Sequence, residues 1–221
     1  MEKKSVILLS GGLDSLVSLG VAKEEFNIEL ALTFDYGQNP VSQEINTSNK
    51  IADYYGIEHR VVKLPFLKEI TNNAFVGKNG ELPSENIGSK DSAKAVWVPN
   101  RNALFLNIAG VYAEARNYTH IIFGANKTEG KTFPDNTIEF VERINCMFLF
   151  STMNKVKVFA PLINYTKDDI VRIALEKKVP LELAYSCYSG GEKNCGKCES
   201  CQDLMQAIKN NGAVKYIERL F

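Results

Sequence analysis

The residues best suited to chemistry form two short clusters, one near each end of the chain. The first is Ser10-Gly11-Gly12-Leu13-Asp14-Ser15, directly after the apolar run Val6 to Leu9. Glycines at 11 and 12 let backbone N–H groups converge on a ligand without side-chain obstruction. Leu13, Leu16, Val17 and Leu19 recur at helical spacing, so a helix begins where this turn ends. The free N–H groups of its first turn carry about half a positive charge, and Ser10 and Ser15 add hydroxyl donors. Strand, glycine turn and helix start together suit a phosphate. The turn is not a Walker A loop, since no Lys-Ser or Lys-Thr follows the glycines, and it is not GxGxxG. A plain strand–turn–helix corner accounts for the glycines but leaves Ser10, Asp14 and Ser15 unexplained.

The second cluster is Cys187, Cys195, Cys198 and Cys201, in CYSGGEKNCGKCESC. Two overlapping CxxC steps put three thiolates on one knuckle, which Cys187 reaches across a Gly-rich loop. Four thiolates suit tetrahedral zinc, and a closed ligand set points to a structural ion. An iron–sulfur cluster and a redox-active CxxC pair are the alternatives. Cysteines crowded at this spacing fit metal binding in a reducing compartment rather than disulfides. The fifth, Cys146, shares a helical stretch with Phe148 and Leu149 and is expected in or near the core. Arg101 precedes another helical stretch, where it could reach a phosphate or merely cap the helix at the surface.

A scaffold must bring these groups together. Strands are expected at Val6 to Leu9, Ile28 to Phe34, Glu58 to Leu64, His120 to Phe123 and Val156 to Phe159. Between them lie helical patterns from Leu13, over Val41 to Tyr55 with Gly56 as a stop, and over about Ala103 to Arg116. Two more run over Thr137 to Met153 and from Thr166, whose following Asp168 and Asp169 suit a capped first turn. Strands separated by helices imply right-handed crossovers and a parallel sheet, with ligands at the carboxyl ends of the strands. The SGGLDS turn, Asp35-Tyr36-Gly37-Gln38, Gly124 and a polar loop over Thr128 to Asn136 would share that edge. The polar stretch 71–97 reads as a lid. The domain reading is residues 1–184 as one α/β unit, with 185–221 as a metal-binding segment packed on it. With 45% hydrophobic residues among 221, the chain can bury a proper core. Lys plus Arg and Asp plus Glu number 26 each, so no global basic field exists for gripping nucleic acid. The apolar run near the start is too short for a signal peptide or membrane span, and a cytoplasmic protein is expected.

SGGLDS resembles the SGGxDS pyrophosphate loop of the PP-loop ATPases, which split ATP between its α and β phosphates and leave AMP on a substrate oxygen. After it come FDYGQ (Phe34 to Gln38), PNRN (Pro99 to Asn102), the strand end at Gly124, FPD (Phe133 to Asp135), APL (Ala160 to Leu162) and the cysteine block. Over nearly the whole chain this order resembles the 7-cyano-7-deazaguanine synthase family, QueC. The resemblance implies a single Rossmann-like (PP-loop, HUP-type) α/β domain with a C-terminal four-cysteine zinc knuckle, working as a homodimer. It implies ATP-dependent adenylation of the carboxylate of 7-carboxy-7-deazaguanine and amidation by ammonia. A second adenylation then ends at the nitrile, a precursor of queuosine. Leu9, Ser10, Gly11, Gly12, Leu13, Asp14 and Ser15 would hold the nucleotide, with Thr33 and Phe34 on the adenine side and Gly124 at the strand end. Ser10, Asp14, Ser15, Arg101 and Lys127 form the implied catalytic set, the last two cations neutralising charge. Mg2+ would sit on the phosphates, with Asp14 or Asp135 as ligand. Tyr36, Gln38, Glu129, Lys131, Phe133 and Asp135 would shape the substrate pocket.

This chain departs from the family pattern around the acceptor. A DYSGYPDCR-like loop is replaced by Glu129 to Thr137, EGKTFPDNT, which keeps only the aromatic-Pro-Asp core. Asn39-Pro40 stands where Arg-His is expected, and Asn100 replaces a Gly. These changes leave a second reading open, in which the activated deazaguanine is joined to a protein amine, as in synthase-like paralogues of anti-phage (CBASS-type) operons. Another PP-loop tRNA-modifying enzyme would need an RNA-binding extension or basic excess that the sequence lacks. A non-catalytic nucleotide sensor would leave Arg101 unexplained.

Overall fold

The central strand of the sheet is β1 (Lys4–Leu8), flanked by β2 (Asn27–Asp35) and β4 (His120–Ile122), with β3 (Glu58–Lys63) and β5 (Lys157–Phe159) at the edges. All four pairings are parallel, giving the order β3-β2-β1-β4-β5. The computed structural model describes residues 3–71, 73–76 and 94–221. The helices are α1 (Leu13–Ala22), α2 (Val41–Tyr55), α3 (Pro65–Ile70), α4 (Arg101–Ala115), α5 (Lys127–Gly130), α6 (Ile138–Ser151), α7 (Lys167–Glu176), α8 (Glu199–Asn210) and α9 (Ile217–Leu220).

A parallel sheet must be covered on both faces. Ile7 and Leu9 pack with Leu16 of α1, Ile51 of α2, Ile170 of α7 and Leu204 of α8. Val6 and Leu8 face the other way, onto Leu106 of α4 and Ile144 and Phe148 of α6. Ser5 pairs with Ile28 but Val6 with Leu30, so Glu29 is an extra residue that shifts the alternation of β2. Leu30, Leu32 and Phe34 thereby face α4 and α6. The chain winds outward from β1 through β2 to β3, then returns to β4 on the opposite side of β1. Such a reversal opens a crevice at the carboxyl ends of the two central strands.

The five strands lie where the apolar runs placed them. Gly56, at φ +67°, closes α2, and Thr166 with Asp169 forms a full capping box on α7. Two expectations are corrected, and one helix was not foreseen. Residues 128–136 are not a plain loop: they contain most of α5 and a 3-10 turn at Pro134–Asn136, because Asn126 Oδ1 accepts the Glu129 N–H at 3.0 Å. Cys146 is exposed, because α6 buries Val141, Ile144 and Phe148 and turns Cys146 outward. Helix α8 was hidden in the cysteine block, yet its Leu204, Ala207 and Ile208 join the same core as α1. The expected lid lies mostly outside the described residues. Its described flanks meet, Ala74 N–H donating to Ala95 O at 3.0 Å. Among the described residues no helix is long and apolar enough to cross a membrane.

Candidate active site and metal centre

The crevice at the β1–β4 switch is the cavity that gathers the chemistry. Its floor is the turn after β1. Gly11 adopts φ +79°, and a Cβ there would lie 2.8 Å from Thr47 Cγ2 of α2, so the turn closes only with glycine. Within it Ser10 N–H donates to Ser15 Oγ at 3.3 Å, and Ser15 Oγ donates to Gly12 O at 3.0 Å. Gly124 lets the end of β4 approach α1, since a Cβ there would meet Ser15 N at 3.1 Å. Leu9, Ser10, Gly12, Asp14, Ser15 and Gly124 line the cavity; Gly11 and Leu13 belong to the turn but do not line it.

Two cations line the same cavity, each at the first residue of a helix. A cation there opposes the helix dipole and needs compensation. Arg101 opens α4 and donates from Nη1 to Tyr36 Oη at 3.2 Å. Burial acts to lower its pKa, but Tyr36 and Asp135 hold it above the ordinary arginine value. Lys167 opens α7 and reaches Asp14 Oδ2 at 2.5 Å and Glu129 Oε1 at 3.2 Å. Burial acts against its charge, yet the two carboxylates keep its pKa above the ordinary lysine value. Burial raises Asp14, with Lys167 opposing, and the buried Asp14 Oδ1 has no partner. Lys127 is exposed and outside the cavity, so the second cation here is Lys167, which sequence reasoning missed.

The walls are aromatic. Phe34 stacks on Phe105 with centroids 4.0 Å apart and planes 5° from parallel. Trp97 and Phe133 are parallel within 7° at 6.0 Å. Thr33 lines the cavity, but its hydroxyl donates to Leu9 O at 2.6 Å, which leaves His59 Nε2 as the donor in their 2.8 Å contact. Tyr36, Glu129, Phe133 and Asp135 line the cavity. Burial raises Asp135, with Arg101 opposing. Gln38 and Lys131 do not line it. Gln38 is buried in the turn after β2, where its Nε2 donates to Phe34 O at 2.8 Å and Glu44 Oε2 at 2.7 Å. Glu44, unforeseen from the sequence, is the carboxylate that this amide presents to the cavity; burial pushes its pKa up to about 7.

The four knuckle sulfurs lie within 4.8 Å of one another, and Cys195 Sγ is 3.9 Å from Cys201 Sγ. Tetrahedral Zn–S bonds of about 2.3 Å require S–S edges of about 3.8 Å, so this set fits a metal ion. Backbone N–H groups of Ser189 and Cys195 point at Cys187 Sγ, both at 3.4 Å, and those of Lys197 and Cys198 at Cys195 Sγ, at 3.4 and 3.3 Å. Such donors favour thiolates. Gly196, at φ +70°, makes the turn between Cys195 and Cys198. Cys187 itself lines the cavity, so the knuckle is one of its walls.

Comparison with known proteins agrees with this architecture. At 17% identity and TM-score 0.51, the fold is similar to NMN synthetase from Francisella tularensis, over 99% of this chain and 82% of that one. It is also similar to a 4-thiouridine synthetase solved as an RNA complex with bound ATP, at 21% identity and TM-score 0.50, over 99% and 53%. In sequence the chain is 50% identical over 219 residues to the 7-cyano-7-deazaguanine synthase of Methanosarcina barkeri, covering 95% of each. It is 46% identical to that of Carboxydothermus hydrogenoformans, over 95% and 100%. This identity favours the nitrile-forming enzyme over the reading in which a protein amine is the acceptor. The family model described as "Queuosine biosynthesis protein QueC" matches residues 4–212, and the chain belongs to that family.

Proposed function

We propose that this enzyme converts 7-carboxy-7-deazaguanine, ammonia and ATP into 7-cyano-7-deazaguanine, AMP and pyrophosphate. What carries the reading, in a chain of this family, is the meeting in one cavity of a glycine anion turn, Arg101 and Lys167 at helix starts, and flat aromatic walls. A carboxylate oxygen of the substrate attacks the α-phosphorus of ATP, and the bond to pyrophosphate breaks. Charge grows on phosphate oxygens, so positioned donors and cations matter more than a nucleophile. The glycine turn over residues 10–15 holds the departing pyrophosphate, while Arg101 and Lys167 neutralise charge. Ammonia attacks the acyl carbon, AMP leaves and an amide forms. The amide oxygen then attacks a second ATP; loss of AMP and of the nitrogen-bound protons leaves the nitrile.

Phe34 and Phe105 support an adenine site beside Thr33, and Trp97 with Phe133 supports a flat deazaguanine near Asp135. Asp14, with its partnerless Oδ1, and Glu129 would hold Mg2+, which supplies positive charge to the phosphates when bound. Zinc is the ion that the four thiolates suit, in a structural role. The shared core of α1 and α8 supports treating 185–221 as part of the same folding unit. Exposed Leu149, Phe150 and Met153 on one end of α6 and beyond it support a homodimer, and balanced charge supports a small-molecule rather than nucleic-acid substrate. Mass spectrometry of protein incubated with ATP, Mg2+ and 7-carboxy-7-deazaguanine tests the reading. Nitrile that appears only with ammonium supports it; AMP without nitrile in the presence of ammonium contradicts it.

A further inference from the structure

Three N–H groups of the turn after β1 are held by three serine hydroxyls. Ser15 Oγ accepts from Ser10 N–H at 3.3 Å and Ser10 Oγ from Gly12 N–H at 3.4 Å. The third, Leu13 N–H, donates at 3.2 Å to Ser186 Oγ, which lies 173 residues further along the chain. A Cβ on Gly12 would lie 3.4 Å from Ser10 Oγ and 3.7 Å from Ser186 Oγ, so the two hydroxyls flank the same glycine. Ser186 also lines the cavity. Since it accepts from Leu13, its own hydrogen is available to an oxyanion.

The cysteine knuckle fixes this hydroxyl. The preceding residue ties to the turn, Tyr185 N–H donating to Gly11 O at 2.9 Å. Ser186 N–H donates at 2.9 Å to Oδ1 of the buried Asn194, whose Nδ2 donates to Leu220 O at 3.0 Å. The next residue is Cys187, one of the four thiolates, and Asn194 adjoins Cys195, another. Ser186 is therefore tied to the turn through Tyr185 and to the knuckle through its chain neighbour Cys187 and through Asn194, the residue before Cys195.

We propose that Ser186 is a third hydroxyl of the pyrophosphate turn, supplied by the cysteine knuckle, and that it couples metal loading to ATP binding. This deepens the adenylation reading and rests on it. With the ion in place, Ser186 is held between Gly11 and Asn194 and adds a donor to the pyrophosphate. Without it, the segment keeps only the Tyr185–Gly11 bond, the knuckle no longer fixes Ser186, and the donor leaves the turn. Linkage is reciprocal: if the ion favours ATP, then ATP must oppose loss of the ion by the same factor.

The test compares wild type, Ser186→Ala and Ser186→Thr as metal-loaded protein. Calorimetry gives affinities for adenosine 5′-(α,β-methylene)triphosphate and for AMP, and elemental analysis gives metal per chain. Loss of one hydrogen bond to a charged group predicts about tenfold weaker binding of the triphosphate by Ser186→Ala. AMP affinity and metal content stay unchanged, and Ser186→Thr recovers most of the loss. The triphosphate slows metal release to a chromogenic chelator in wild type but not in Ser186→Ala. Triphosphate binding by Ser186→Ala equal to wild type, or equal losses of AMP and triphosphate affinity, would overturn the proposal. These readouts do not depend on turnover, so a failure to form nitrile counts against the reaction and not against Ser186.

Discussion

Lys167 Nζ lies 2.5 Å from Asp14 Oδ2, joining the first turns of α7 and α1 across the switch point of the sheet. A lysine at a helix start opposes the dipole, and here Asp14 and Glu129 hold it in its charged form. Together with Arg101 it gives the cavity two fixed cations, placed to neutralise transferring phosphate in the proposed reaction.

Replacing Lys167 by Met should lower the rate of AMP formation by about 100-fold, the cost of removing one positioned charge-stabilising group. Metal content should not change. Lys127→Met should leave the rate near wild type, because Lys127 is exposed and outside the cavity. Steady-state AMP release by both variants checks this pair of expectations.

Glu44 makes stability depend on pH. Burial raises its carboxyl to about 7, with the Gln38 amide and Arg101 opposing. The folded state therefore binds this proton more tightly than the unfolded chain. Its contribution is full below the ordinary glutamate value and is lost as pH rises through about 7. The melting temperature of wild type relative to Glu44→Gln should fall between about pH 5 and about pH 8. The comparison isolates Glu44 from His59 and His120, which burial lowers and which act in the opposite sense.

Cys201 is buried at the start of α8. Cys201→Ser should leave metal content well below one ion per chain and lower the melting temperature, since metal binding in such knuckles is folding free energy. Elemental analysis should find zinc in wild type. Iron with visible charge-transfer absorption would replace that assignment with a cluster.

Gly124→Ala should weaken the join between β4 and α1. Its Cβ would sit 3.1 Å from the Ser15 nitrogen and 3.2 Å from Ser15 Cα, backbone atoms that no rotamer change can move. Overpacking of this kind costs about 1–3 kcal/mol, to be read by denaturant titration, with ATP affinity falling alongside.

The sheet was legible because Val6 to Leu9 is a continuous apolar run and Ile28 to Phe34 a mostly apolar one, as burial on both faces demands, and because Gly56 and Thr166 mark helix ends by their chemistry. The glycine turn after β1 was legible because its parts are adjacent in sequence. Lys167, Glu44 and Ser186 were not, since each reaches the cavity only through tertiary placement. One local signal did exist for Lys167: a cation at a capped helix start following the last strand. Gln38 shows the converse. Its amide looked available for a ligand but is used up within its own turn, by the Tyr36 N–H, Phe34 O and Glu44. Helix α8 was masked because its metal ligands and polar residues obscure the Leu204, Ala207, Ile208 face.

In the proposed reaction carboxylate oxygen, and later amide oxygen, attacks the α-phosphorus of ATP. This attack is tested most directly by giving the enzyme 7-carboxy-7-deazaguanine labelled with 18O at both carboxylate oxygens, together with ATP, Mg2+ and ammonium, and weighing the products. Both labels should leave the deazaguanine on AMP, one in each of the two AMP molecules released per nitrile. ADP with labelled orthophosphate, or unlabelled AMP with labelled pyrophosphate, would contradict it, because the oxygen would then have attacked the γ- or β-phosphorus.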